Sequence, residues 1–169
     1  MQTAGRGGGC EPAARPLAEL LACPPATASL LEASAQSISF AGQETIFDQG
    51  ADCRGLYLVI SGELMRRADR LETHLNLGLI RAGNLVELAA ALGDGRHTYT
   101  LMALAPGSLL LLPRVALEEA FHAHPPLRMR LLEELACEVS RAYALCCAAR
   151  MAGGRRHRMW PSAGHRQLD

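Results

Sequence analysis

Between Ile38 and Pro113 the chain is cut into short apolar runs by Gly42, Gly50, Gly55, Gly62, Gly78, Gly83, Gly93, Gly95 and Gly107. Runs this short, rich in alternating or β-branched apolar residues and separated by turn residues, specify strands closed into a sandwich, barrel or roll. The spacing predicts strands at Ser37 to Ala41, Glu44 to Phe47, Gly55 to Ser61, Glu63 to Ala68, Glu72 to Ile80, Tyr99 to Ala103 and Ser108 to Pro113. Leu56, Leu58 and Ile60 alternate with Tyr57, Val59 and Ser61, the period that buries one face of a sheet. Gly50 and Gly62 fall where reversing strands need a positive φ, a conformation that costs other residues about 1 kcal/mol or more.

Helical patterning flanks this β region. Leu17, Leu20, Leu21, Leu30 and Leu31 recur at helical spacing, interrupted at Cys23-Pro24-Pro25, which predicts two short helices with Thr27 or Ser29 capping the second. A two-turn helix is expected over Leu85 to Leu92, inside the β region. After Pro113 a short helix runs from Val115 to His122, and Pro125-Pro126 opens a long one that reaches Ala152 before Gly153-Gly154. In that helix Leu132, Leu135, Val139, Ala142, Cys146 and Ala149 recur three and four apart, with Leu131, Tyr143 and Leu145 adding a second apolar face. Two such faces predict packing on the chain's own body and on a partner helix, hence a homodimer through residues 126–152. The expected organisation is one domain over residues 16–152, between a flexible Gly-, Ala- and Pro-rich lead-in at 1–15 and a solvated, Arg-containing tail at 153–169.

Composition narrows the functional classes. The 17 basic residues, all arginine, balance 17 acidic ones, so no global field favours nucleic acid. The 6 cysteines have neither CxxC spacing nor a zinc-finger histidine pair, so no metal site is expected. Neither a signal-peptide core nor an apolar run of spanning length occurs, which predicts a cytoplasmic, non-membrane protein with reduced thiols. No GxSxG, HExxH or Cys-His signature appears, and the neighbours Glu118/Glu119 and Glu133/Glu134 point apart on their helices and read as solvated faces rather than catalytic dyads. The chain is therefore expected not to be an enzyme.

Two hairpins carry a family resemblance. Gln43-Glu44-Thr45-Ile46-Phe47-Asp48-Gln49-Gly50-Ala51-Asp52 is similar to the G-x-x-I/L-F-x-x-G-D/E opening hairpin of the catabolite activator and Fnr (Crp/Fnr) regulators, and Gly55-Leu56-Tyr57-Leu58-Val59-Ile60-Ser61-Gly62-Glu63-Leu64 is similar to their L-Y-x-I-x-x-G-x-V strand and turn. The likeness spans about residues 16 to 150. It implies a mainly β fold with flanking α structure: an antiparallel double-stranded β-helix, or jelly-roll-like β-roll, with N-terminal helices and a long C-terminal helix.

The resemblance also implies a ligand site. In the family a G-E-L/I-A helix start and a following R-S/T-A hold a cyclic nucleotide, the arginine and backbone N–H groups on the phosphate and the glutamate on the ribose. Helix N-termini and arginine suit an anion for general reasons. Glu87, Leu88 and Ala89 match the first element, while Arg96 and Thr98 lie near the second. The chain departs from the pattern in two places: Val86 stands at the close-approach glycine, and counting back from Ala103 puts His97 at the arginine position, with a one-residue slip in the Gly93–Gly95 loop needed to bring Arg96 there. Tyr143 falls where the long helix would contact the base. The implied site is Glu87, Leu88, Arg96, His97, Thr98 and Tyr143, and the implied ligand is cyclic AMP or cyclic GMP.

Fnr-type cluster sensing is not expected, because Cys10 and Cys23 are too few and too far apart. The residues after Ala152 are too few for the two helices of a helix-turn-helix, so direct DNA binding is not expected of this chain. Two readings follow: a sensor that couples a small ligand to the dimer helix, and a ligand-free dimerisation or protein-interaction domain with a degenerate nucleotide site.

Overall fold

The computed structural model describes residues 17–70 and 73–154. The expected lead-in at 1–15 and most of the tail at 153–169 lie outside the described residues. Two helices, α1 (Leu17–Leu21) and α2 (Pro25–Ser34), precede the strands β1 (Gln36–Phe40), β2 (Thr45–Phe47), β3 (Gly55–Arg70), β4 (Thr73–Arg81) and β5 (Leu85–Val86). Helix α3 (Leu88–Leu92), strand β6 (Thr100–Pro113), helix α4 (Arg114–Ala123) and helix α5 (Pro125–Gly154) complete the order. The strands pair antiparallel in the order β1-β6-β3-β4, with β2 on β6 and β5 on β3. This is the mainly β roll with flanking helices that the sequence implies. No helix among the described residues is long and apolar enough to cross a membrane.

The described residues form six strands rather than the seven or eight anticipated, because two glycine breaks bend strands without ending them. Gly62 takes φ 93°, and β3 runs on through it against β6 with register shifts between Val59 and Leu64. Opposite, a Cβ on Gly107 would sit 2.2 Å from the Ser61 carbonyl oxygen, so only glycine lets the bent strands close. The bends fold one sheet over on itself into a roll. The sixth strand is β5, at Leu85–Val86, where a helix start was expected; pairing with Tyr57 and Leu58 overrides the local helix preference.

Two clusters form the core. Leu21, Leu31, Leu56, Leu58, Leu112, Leu117, Leu127 and Leu131 lie between the roll and the helices. Phe40, Tyr57, Val59, Leu64, Ile80, Val86, Tyr99 and Leu109 fill the roll itself. At Leu56 to Val59 the alternation therefore buries both faces of the sheet, not one, since helices cover the outer side; Ile60 is left exposed. Helix α2 begins at Pro25 with no side-chain cap, and Thr27, expected as a cap, is buried inside it. A proline at the first helical position has no N–H to leave unpaired, so a capping side chain is less needed.

Candidate functional site

The site grows from the junction of β5 and α3. Glu87 takes φ 69° and ψ 35°, the left-handed region that a residue with a Cβ enters only when its surroundings hold it there. Three contacts do so. Its N–H donates to the Tyr99 hydroxyl at 3.2 Å, its carboxylate accepts the Thr98 N–H at 3.2 and 3.4 Å, and its carbonyl accepts from Ala91 at 2.8 Å. The side chain is fully enclosed, at 1% exposure.

Beside that carboxylate lies the His97 imidazole, 4% exposed and stacked on Phe47 at 3.7 Å between ring centroids. Its Nδ1 is 3.5 Å from Glu87 Oε1, in ion-pair range but without hydrogen-bond alignment. Burial opposes a charged ring, but the Cys53 sulfur and the Glu87 carboxylate outweigh it and raise His97 to about 9. The raised value favours the charged ring, which faces the Glu87 carboxylate rather than turning outward.

Backbone pairing decides which of the two neighbours faces inward. Ala51 O accepts from His97 N at 2.9 Å, His97 O from Gly50 N at 2.8 Å, and Gly95 O from Cys53 N at 2.7 Å. This zips residues 50–53 to 95–97 and turns Arg96 out, where Nη1 donates to the Gly50 carbonyl at 3.0 Å and lies 3.6 Å from Asp52. The slip that would bring Arg96 inward is not what the structure shows.

A cavity of about 650 Å³ opens between the roll and α5. Glu87, Leu88, Ala89 and Thr98 line it beside Arg66, Ile80 and Tyr99 of the roll, and Arg130, Glu134, Glu138 and Arg141 face it from α5. Of the six residues implied by sequence, the structure therefore gathers Glu87, Leu88 and Thr98 at the cavity wall, with His97 behind Glu87. Arg96 and Tyr143 are outside the lining; Tyr143 is 72% exposed on another face of α5. Val86 turns into the roll's interior at 0% exposure, so its side chain takes no room from the cavity.

The polar groups that sequence reasoning missed come from β3 and α5. Arg66 crosses from β3 to α5, its Nη1 donating to Glu138 and its Nη2 to the Leu77 carbonyl at 3.2 Å. Its guanidinium carbon also lies 5.6 Å from the centroid of the Tyr99 ring. Burial raises the Glu138 carboxyl, with Arg66 pulling it back, and burial also raises the Tyr99 phenol. Glu134, read from sequence as part of a solvated face, is exposed yet lines the cavity. Glu134, Glu138 and Arg141 follow an i, i+4, i+7 pattern that marks one helix face, but nothing in sequence said which surface that face meets.

Comparison with known proteins agrees with this fold. The family model for the cyclic nucleotide-binding domain matches residues 37–124. The fold is similar to that of the catabolite activator protein of Thermus thermophilus, with a TM-score of 0.68, 23% identity, 80% of this chain covered and 63% of that one. It is also similar to the sensor domain of the transcriptional regulator DNR from Pseudomonas aeruginosa, with a TM-score of 0.64, 22% identity, and 77% and 87% covered. A third likeness is the N-terminal domain of a transcriptional regulator from Streptomyces coelicolor A3(2), with a TM-score of 0.56, 24% identity, and 89% and 96% covered. The chain thus spans less than two thirds of the Thermus protein. Comparison with curated protein sequences returned no match.

Proposed function

Because this chain belongs to the cyclic nucleotide-binding domain family, we propose that it is a regulatory sensing module that holds a cyclic nucleotide between the roll and α5. The observation that carries this reading is the shared wall of the cavity: an occupant touching Glu87, Thr98 and Tyr99 on one side meets Glu138 and Arg141 on the other. A volume near 650 Å³ suits a small organic ligand. Such an occupant biases the position of α5, and a coupling of about 1–3 kcal/mol is typical of ligand-linked changes of this kind.

We assign Glu87, Leu88 and Thr98 to the ligand side, with His97 positioning Glu87. Arg96 and Tyr143, which lie outside the cavity, receive no contact. The output is α5, which on this reading pairs with α5 of a second copy. Met129 at 60%, Leu132 at 38% and Val139 at 57% exposure give that helix the apolar face a partner would cover. The role is regulatory rather than catalytic.

One observation favours the ligand-free interaction module instead. The position that carries the phosphate arginine in the family pattern is His97, buried and paired with Glu87. Isothermal titration with cyclic AMP and cyclic GMP separates the two readings. Micromolar binding that is kept in Arg96→Ala and lost in Ala89→Trp, a cavity-filling change, is the expected result. No heat from either nucleotide at millimolar concentration would leave the interaction module standing.

A further inference from the structure

If the cavity takes an anionic ligand, a cation must meet the charge, and the two sequence candidates do not: His97 is enclosed against Phe47 and Glu87, and Arg96 is on the outside. Three arginines do line the cavity, Arg66, Arg130 and Arg141. The latter two are on exposed stretches of α5, where water screens their charge. Arg66 is on the rigid roll wall, with its side chain 22% exposed and its fork fixed by the Leu77 carbonyl and the Tyr99 ring. Its Nε is buried and finds no acceptor among the described residues, and its Nη1 is taken by Glu138, whose side chain is 28% exposed. With Nη2 on the Leu77 carbonyl and Nη1 on a side-chain carboxylate, the fork holds an anion at a place that another carboxylate or a phosphate fits.

We propose that Arg66 takes the acidic group of the ligand and that Glu138 occupies it until the ligand arrives, a role that rests on the cyclic-nucleotide reading of the cavity. The exchange is one anion for another at the same fork. A phosphate replaces the carboxylate with a charge-assisted contact of its own, whereas a neutral nucleoside has nothing to give Arg66 in return for Glu138. Selectivity for the charged ligand therefore resides in this pair, on β3 and α5. Since Glu138 is on α5, its displacement also breaks a direct tie between the roll and that helix.

The test is titration of the full chain and its Arg66→Gln, Arg66→Lys, Glu138→Gln and Arg96→Gln variants with cyclic AMP and cyclic GMP, beside neutral adenosine and guanosine. The proposal expects opposite signs. Arg66→Gln weakens the cyclic nucleotides by about tenfold or more, while Glu138→Gln, which removes the competing charge, tightens them. Arg66→Lys keeps the charge, loses the fork and falls between, and Arg96→Gln changes nothing. The nucleosides respond to none of these substitutions. A bridge that serves only to hold α5 in place would shift Arg66→Gln and Glu138→Gln in the same direction; that result, or no shift in either while the unmodified chain binds, overturns the proposal and leaves the cavity reading intact. Absence of cyclic-nucleotide binding in the chain and in every variant would instead remove the cavity reading, and this proposal with it.

Discussion

Glu87 concentrates the residue-scale chemistry. It is in the left-handed region, fully buried, and bonded by carboxylate and backbone to Thr98 and Tyr99. Removing one partner of a buried ion pair strands the other charge, so Glu87→Gln is expected to cost about 3–5 kcal/mol in urea unfolding near neutral pH. A similar loss in His97→Gln that is largely recovered in the double variant would show that the stranded charge is the cause. His97 also sets a pH dependence. Its folded value, raised to about 9 from an ordinary 6.5, means that the stability it contributes is fully present below pH 6.5 and is lost as pH rises through 9. Urea midpoints of the unmodified chain should fall between pH 7 and 9.5, and the slope should flatten in His97→Gln; a flat profile in the unmodified chain would show that His97 is neutral in the folded state. The resemblance to the Crp/Fnr site pattern pointed to Glu87, His97 and Thr98. It could not say that His97 faces inward and Arg96 outward, because that depends on the pairing of residues 50–53 with 95–97, some forty positions apart.

At the scale of elements, the long bent strands were only half legible. Gly62 and Gly107 read as turns in sequence, but each lets a strand continue through a bend, and the opposing strand that requires this is distant in the chain. Gly107→Ala, which would place a Cβ 2.2 Å from the Ser61 carbonyl oxygen, should destabilise the fold by at least about 2 kcal/mol in the same unfolding assay. Helix α5 was clear in sequence from Pro125 onward, as was its apolar repeat. The division of that repeat between the two faces was not. Leu131 is buried and Leu135 packs against the core, whereas Leu132 and Val139 are exposed, so the face offered to a partner is narrower than the repeat suggests. Leu132→Glu with Val139→Glu should therefore convert a dimer to a monomer at micromolar concentration without loss of helix content. Light scattering after gel filtration reads this directly, and an unchanged dimer would mean that copies pair elsewhere.

For the whole molecule, the roll and α5 flank a cavity whose polar groups include those of β3, the β5–α3 junction, the segment at Thr98 and Tyr99, and the middle of α5. Sequence identified the junction, because its residue types follow a recurring pattern. The charges of Arg66, Glu134, Glu138 and Arg141 gave no comparable signal: each is an ordinary surface residue until β3 and α5 come together across the cavity. The central claim is that one ligand in this space is felt by the roll and the helix at once. Hydrogen exchange of the full chain with and without saturating cyclic AMP or cyclic GMP tests it most directly. The account predicts altered protection in residues 85–99 and 130–142 together with either nucleotide; a change confined to one of these segments, or unchanged exchange in both, would contradict it.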